Sequence, residues 1–284
     1  MVVKADILLI GIVFFFCANV FAQQEYSNAV QITTEYEQEN NYLIFNAYNQ
    51  DFCDYVVYLK CGNDIRYLTA RPGKSEIYRV KNTYNIYYQY AMYRGAIDKK
   101  PNIDFTYSLP ITKGDSLVMY ANVFSDGYRM DFTSFADNLY AIRDGIVCND
   151  DVTDFTAKGH EYFNESRFFK KLTVYHADGS FGEYIFVGQP LVNKGDHVKM
   201  GQSIATLRKD EVNKFSLDVY FLDKNKVYDL SIGNKHSHFR PFFQTINEGK
   251  QRLEEEKIYY CERNNEMLMQ DMSKREQKKF QKTN

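Results

Sequence analysis

The sequence predicts a mainly β protein with two β regions and a helical tail, and three observations carry that reading. Tyr and Phe are abundant, at 24 and 22 residues with no Trp, and both fit pleated, half-buried surfaces. Short runs of alternating apolar and polar residues, split by turn residues, recur as far as about residue 246. From Lys250 onward the chain becomes charged and contains neither Gly nor Pro, which reads as helix.

The first element is a leader. One early Lys, an apolar run from Ile7 to Phe16 and the sequence Val20-Phe21-Ala22 before Gln23 fit a signal peptide over residues 1–22. The run is short for a membrane span, and bulky Phe16 argues against lipid attachment at Cys17. The mature protein is therefore expected to be exported, periplasmic or secreted, with no membrane span after cleavage. A net charge of −2 excludes nucleic acid as a main partner.

Residues 23–112 form the first β region, a β-sandwich-like domain. Its strand-like runs include "NYLIFNAY", "DYVVYLK", "SEIYRV" and "NIYYQYAMY", broken by Cys61-Gly-Asn-Asp and Arg71-Pro-Gly-Lys turns. The second region spans 113–246, with "LYAIRDGIVC", "LTVYHADG", "GEYIFV", "QSIATL" and "FSLDVYFLD" as strands, and a polar loop insertion between Cys148 and Phe168. A charged helical tail over 247–284 frays into solvent, because Leu253, Ile258, Cys261 and Met267 make only a patchy apolar stripe. Export would permit disulfides among Cys53, Cys61, Cys148 and Cys261. Cys53 and Cys61 bridge only where the chain between them turns back, and otherwise the cysteines are free and buried.

Several segments stand in a diagnostic order. "YSLPITKGDSLVMYANVFSDGYRMDF" is followed by "LYAIRDGIV", "VYHADGSFGEYIFV", "LVNKGDHVKMGQSIATL", "KFSLDVYF" and "HFRPFFQT". Together they resemble the lysostaphin-type zinc endopeptidases that cut peptidoglycan cross-bridges, over about half the chain, from about residue 107 to 246. The resemblance implies a barrel-sandwich hybrid with its active site in a groove across one sheet. It also implies a zinc held by a His and an Asp of the first motif and by the second His of a His-x-His strand, with a fourth position open for water.

Matched position by position, that site is degenerate. The first-motif His falls on Asp126, while the ligand Asp is kept as Asp131. The Tyr-x-His strand reads Tyr184-Ile-Phe186, and the His-x-His strand reads Lys214-Phe-Ser216. Spacing of i, i+2 keeps Lys214 and Ser216 on one strand face, with Phe215, Leu217, Val219 and Phe221 on the other, toward a core. Asp126, Asp131 and Ser216 offer oxygen only, beside the Lys214 ammonium, and do not suit a catalytic zinc. Asp131 is then expected to accept hydrogen bonds from Lys214 or from backbone amides. Tyr184, Asp218 and Tyr220 are the candidates for groove contacts. His236 and His238 imitate the His-x-His pair but lie too far downstream, and read as neighbouring surface histidines. His160, His176 and His197 have no catalytic role, and His197 is expected to be exposed.

The expected function is therefore that of an exported, catalytically inactive homologue of these peptidases. It acts by binding in the cell envelope, to peptidoglycan or to a hydrolase partner, and carries no cofactor. The alternative is an active zinc metalloendopeptidase with a site rearranged around His236 and His238. A further class, biotinyl or lipoyl carriers, shares the Gly-Asp-x-Val-x-x-Gly-Gln turn but wants its Lys in a setting that Lys209 lacks.

Overall fold

The computed structural model describes residues 29–81, 86–120, 129–149, 169–208 and 212–283. The residues 1–22 expected to form a leader, Asp126, His160 and Lys209 lie outside the described residues.

The first six strands are β1 (Val30–Glu37), β2 (Tyr42–Asn49), β3 (Tyr55–Cys61), β4 (Asp64–Ala70), β5 (Gly73–Lys81) and β6 (Tyr88–Arg94). They form two three-stranded antiparallel sheets, ordered β1-β2-β5 and β4-β3-β6. Alternation along β2 and β3 turns Phe45, Leu59 and Cys61 inward, where Ile32, Leu43, Leu68 and Ile77 pack against them. This is the expected sandwich. The β3–β4 hairpin closes on Gly62, whose φ of +61° is the left-handed conformation a tight turn requires. Cys53 lies just before β3 and Cys61 ends it, so the extended strand stands between them. They enter different apolar clusters, so the chain does not turn back to bridge them.

The second half continues with β7 (Thr106–Ser108), β8 (Ser116–Tyr120), β9 (Met130–Ser134), β10 (Asn138–Tyr140), β11 (Gly145–Asn149), β12 (Lys170–Tyr175) and β13 (Ser180–Phe186). Then come β14 (Gly188–Pro190), β15 (His197–Val198), β16 (Ser203–Leu207), β17 (Asn213–Leu222), the short helix α1 (Lys224–Tyr228), β18 (His236–His238) and β19 (Phe242–Thr245). The last elements are β20 (Gly249–Gln251), β21 (Ile258–Tyr260), α2 (Asn265–Met269) and α3 (Lys274–Thr283). One nine-stranded sheet follows the order β15-β11-β12-β13-β17-β9-β8-β21, with β18 also paired to β17. Two smaller sheets, β10-β16-β14 and β20-β19-β7, complete this half. No sheet closes into a barrel among the described residues.

A single large core joins these sheets. It takes Tyr184 and Phe186 from β13, Phe215, Leu217 and Val219 from β17, Ile204 from β16, and Tyr107 and Phe243 from β7 and β19. Phe132 and Phe215, on adjacent strands, pack with ring centroids 5.4 Å apart. Gly145 opens β11 where a Cβ would lie 2.5 Å from Val174 Cγ1 and 2.6 Å from the Tyr175 carbonyl, so the Asp-Gly step is dictated by close packing.

The tail departs from expectation. Residues 249–251 and 258–260 are strands, paired with β19 and β8, and helix is confined to α2 and α3. The run Ile258-Tyr-Tyr-Cys261 alternates outward and inward: Ile258 and Tyr260 are exposed, Tyr259 and Cys261 buried. Leu253, Cys261 and Met267 belong to the main core. Far from fraying, this part of the tail completes the second half. Buried Arg143 holds it there, with Nη1 2.7 Å from Asp178 Oδ2, and Nε and Nη2 each 2.8 Å from the Asp271 carboxylate. Burial alone would raise the Asp178 carboxyl, yet the Arg143 guanidinium and the hydrogen bonds to Asp178 hold it down at about 2.

Phe215→Ala should lower the unfolding free energy by about 3–5 kcal/mol in urea denaturation, as large-to-small changes of a buried aromatic do.

Candidate functional site

Strand β17 organises the site. Its antiparallel register sets Ser216 opposite Asp131 of β9 on one side and Ile185 of β13 on the other. Glu183 lies across from Asp218, and Phe181 from Tyr220. Alternation then sends Phe215, Leu217 and Val219 into the main core, and Lys214, Ser216, Asp218 and Tyr220 to the opposite face. Phe221 is only half-buried. The sequence anticipated this division; the occupants of the outer face are the new information.

Asp131 and Ser216 meet across the β9–β17 pair. Ser216 Oγ donates to Asp131 Oδ1 at 2.5 Å and accepts from Arg129 Nη2 at 3.0 Å. Arg129 Nε lies 3.5 Å from the same Asp131 oxygen. The partners of Asp131 are thus Ser216 and Arg129, with Thr133, not Asp131, opposite the exposed Lys214. Farther along the face, His238 Nδ1 donates to Asp218 Oδ2 at 2.8 Å. Glu183 stands 3.9 Å from the Lys171 ammonium and accepts a long 3.4 Å hydrogen bond from the Tyr220 hydroxyl.

Several expectations are corrected. Tyr184 is not a groove residue: it is fully buried on the core face, and its hydroxyl accepts the backbone N–H of Ile142 at 2.9 Å. Phe186 lies on that same core face, opposite Phe215, and so does not share a site with Lys214 and Ser216. Tyr220 is on the outer face but buried, stacked on Phe181 at 5.2 Å beneath the N-terminal sandwich. Of the three groove candidates, Asp218 alone keeps partial exposure. His236 is no surface residue either. It is buried, and its Nε2 donates to the Arg94 carbonyl at 2.9 Å. The Tyr220 ring lies against both histidines, 5.2 Å from His236 and 5.4 Å from His238.

Lys171, Glu183 and Arg129 were missed in the sequence. A signal was present for one of them: in "SFGEYIF", Glu183 is the single charge of an otherwise uncharged strand. A charge placed so needs a partner across the sheet.

Zinc does not fit the residues described on this face. Asp131 and Ser216 already satisfy each other under Arg129. Unit charges 4 Å apart interact by about 4 kcal/mol at an effective dielectric of about 20, so a divalent ion between these oxygens would be strongly repelled by the guanidinium. His236 has given a ring N–H to a carbonyl, and Asp218 holds the imidazole of His238. Neither histidine belongs to a group of three His, Cys, Asp or Glu ligand atoms close enough to share an ion, among the described residues.

The other described histidines are structural or exposed. His176 is fully buried and donates from Nδ1 to the Asp144 carbonyl at 2.8 Å, while His197 is exposed. Both border a cleft of about 510 Å³. The ammonium groups there are matched by carboxylates, Lys99 with Asp54 at 3.0 Å and Lys199 with Asp144 at 2.7 Å.

No family model and no curated protein matches the chain. Among solved structures, a zinc-containing peptidase from Vibrio cholerae is similar at a TM-score of 0.30 and 12% identity, over 66% of this chain and 81% of that one. At that level the likeness fixes neither a family nor an activity for this protein.

Burial holds His176 and His236 neutral, lowering each to about 4. Unfolding returns them toward about 6.5. Between these values the unfolded chain binds more protons, so stability must fall as pH is lowered from about 6.5 to about 4. Each histidine contributes a slope of at most about 1.4 kcal/mol per pH unit. Urea midpoints measured across that window should decline for the wild type and decline less steeply for His236→Gln.

Proposed function

We propose that this protein is an exported, catalytically silent relative of the lysostaphin-type peptidases that acts by binding peptidoglycan in the cell envelope. The observation that carries the reading is the Arg129–Asp131–Ser216 set. At the two matched metal positions that can be described, a mutually satisfied hydrogen-bonded group stands where a peptidase needs ligands and an open coordination site. Without a metal, the described groups on this face lack the Lewis acid by which such a peptidase lowers the pKa of water.

Binding is what the remaining chemistry serves. Lys214 is exposed, and Arg129, Asp131, Asp218 and His238 are partly exposed along the same strand face. Groups of both signs at strand spacing suit an extended peptide bearing carboxylates and amines, such as a peptidoglycan stem. Export rests on the leader-like residues 1–22. None of the described helices is long and apolar enough to cross a membrane.

Sedimentation with insoluble peptidoglycan tests the proposal. The full chain should pellet with the polymer and release no new amino groups from it, with or without added zinc. Lys214→Glu should reduce the bound fraction, with the effect largest at low salt. Release of amino groups that a chelator abolishes would refute the proposal, and so would a chain that stays in the supernatant.

A further inference from the structure

Where the N-terminal sandwich meets the large sheet, two cysteines from different halves of the chain come together. Cys53, just before β3, and Cys148, in β11, share one buried cluster with Tyr55, Val57, Tyr175, Phe181 and Tyr220. Their sulfurs and a carboxylate oxygen of Asp51 all lie within 4.8 Å of one another. The other two described cysteines are elsewhere: Cys61 is inside the sandwich, and Cys261 is in the main core beside the Leu109 and Ile111 carbonyls.

Three ligand-type atoms this close admit two chemistries, a bound metal or a disulfide. Arg94 decides between them. Its Nη2 lies 3.2 Å from Asp51 Oδ2, its Nε is 3.2 Å from Cys53 Sγ, and its side chain is 1% exposed. A cation therefore already occupies the space a metal would need, paired with the one hard ligand of the set. The Tyr55 hydroxyl also donates to that carboxylate, at 3.1 Å. A disulfide needs no added charge and leaves the Arg94–Asp51 pair intact.

We propose that Cys53 and Cys148 are a disulfide site that ties the N-terminal sandwich to the nine-stranded sheet. The oxidant is a disulfide donor, either oxidised glutathione or an oxidising dithiol protein. One cysteine thiolate attacks the donor's S–S bond, forming a mixed disulfide and expelling a thiolate that takes up a proton. The second cysteine, deprotonated, attacks the protein sulfur of that mixed disulfide and expels the second donor thiolate. Two protein thiols become one disulfide, and the donor gains two electrons and two protons. Burial pushes the Cys53 thiol well above its ordinary value, and the adjacent Cys148 sulfur adds to this against the opposing pull of Arg94. Both sulfurs are shut off from solvent in the folded chain, so the bond forms as the halves dock and not afterwards.

The test is refolding of the denatured, reduced full chain in a glutathione redox buffer containing a chelator. Alkylation and non-reducing peptide mapping follow, with a thermal scan before and after reduction. The expected result is a cross-linked pair of peptides carrying Cys53 and Cys148, with Cys61 and Cys261 alkylated as free thiols. The thermal midpoint should be higher in the oxidised form by roughly 5–15 °C, since the bridge closes a long loop. In Cys148→Ala that oxidised-minus-reduced difference should vanish, whatever the substitution itself costs in stability. Alkylation of both Cys53 and Cys148 after oxidation would overturn the proposal. So would pairing of either with another cysteine, or protection of both by zinc when the chelator is left out.

Discussion

A guanidinium buried between two β layers constrains the whole molecule. Arg94 ends β6, the last strand of the sandwich, and points into an apolar junction where an unpaired charge would be intolerable. Asp51 answers the charge at 3.2 Å, and the ring of Phe181 from the large sheet lies 5.4 Å beneath the guanidinium. The backbone carbonyl of the same residue accepts the buried imidazole of His236. One residue is thus gripped by both halves of the chain. Around it, Tyr175 donates to Asp54 at 2.9 Å, and Val56 packs with Leu222 and Val227. Separating the halves would strand a charge as well as apolar surface.

That junction explains what the outer face of the large sheet can still do. The sandwich covers the end bearing Tyr175, Phe181 and Tyr220. The part left over carries Lys171, Glu183, Asp218 and His238, and beyond them Arg129, Asp131 and Ser216. Among the described residues these groups pair with one another in place, so the face presents fixed dipoles and charges. A surface of paired charges does little chemistry, but it can recognise a ligand whose own charges compete for the same partners.

Much of this was legible in the sequence because strands carry a period of two. The division of β17 into a core face and a polar face follows from "KFSLDVYF" alone, and the β-rich character of both regions follows from the other alternating runs. The burial of Tyr220 and His236 was not legible. Both lie under the sandwich, and the docking of one layer on another leaves no mark in local alternation. Tyr184 was misassigned because it was judged by its motif neighbours; its position on β13, in phase with Phe186, puts it in the core. The tail misled for a different reason. An edge strand with one solvated side, such as Ile258–Tyr260, is flanked by charges that make the composition resemble a helix, while the alternation of Tyr259 and Cys261 was the truer signal.

The central claim is that the residues in the matched metal positions have become an internal hydrogen-bonded set. Elemental analysis of the purified chain, followed by calorimetric titration with zinc, tests it most directly. The account predicts no stoichiometric zinc and no saturable binding tighter than the weak affinity of surface histidines. One firmly held zinc per chain, lost in Asp131→Asn, would contradict it.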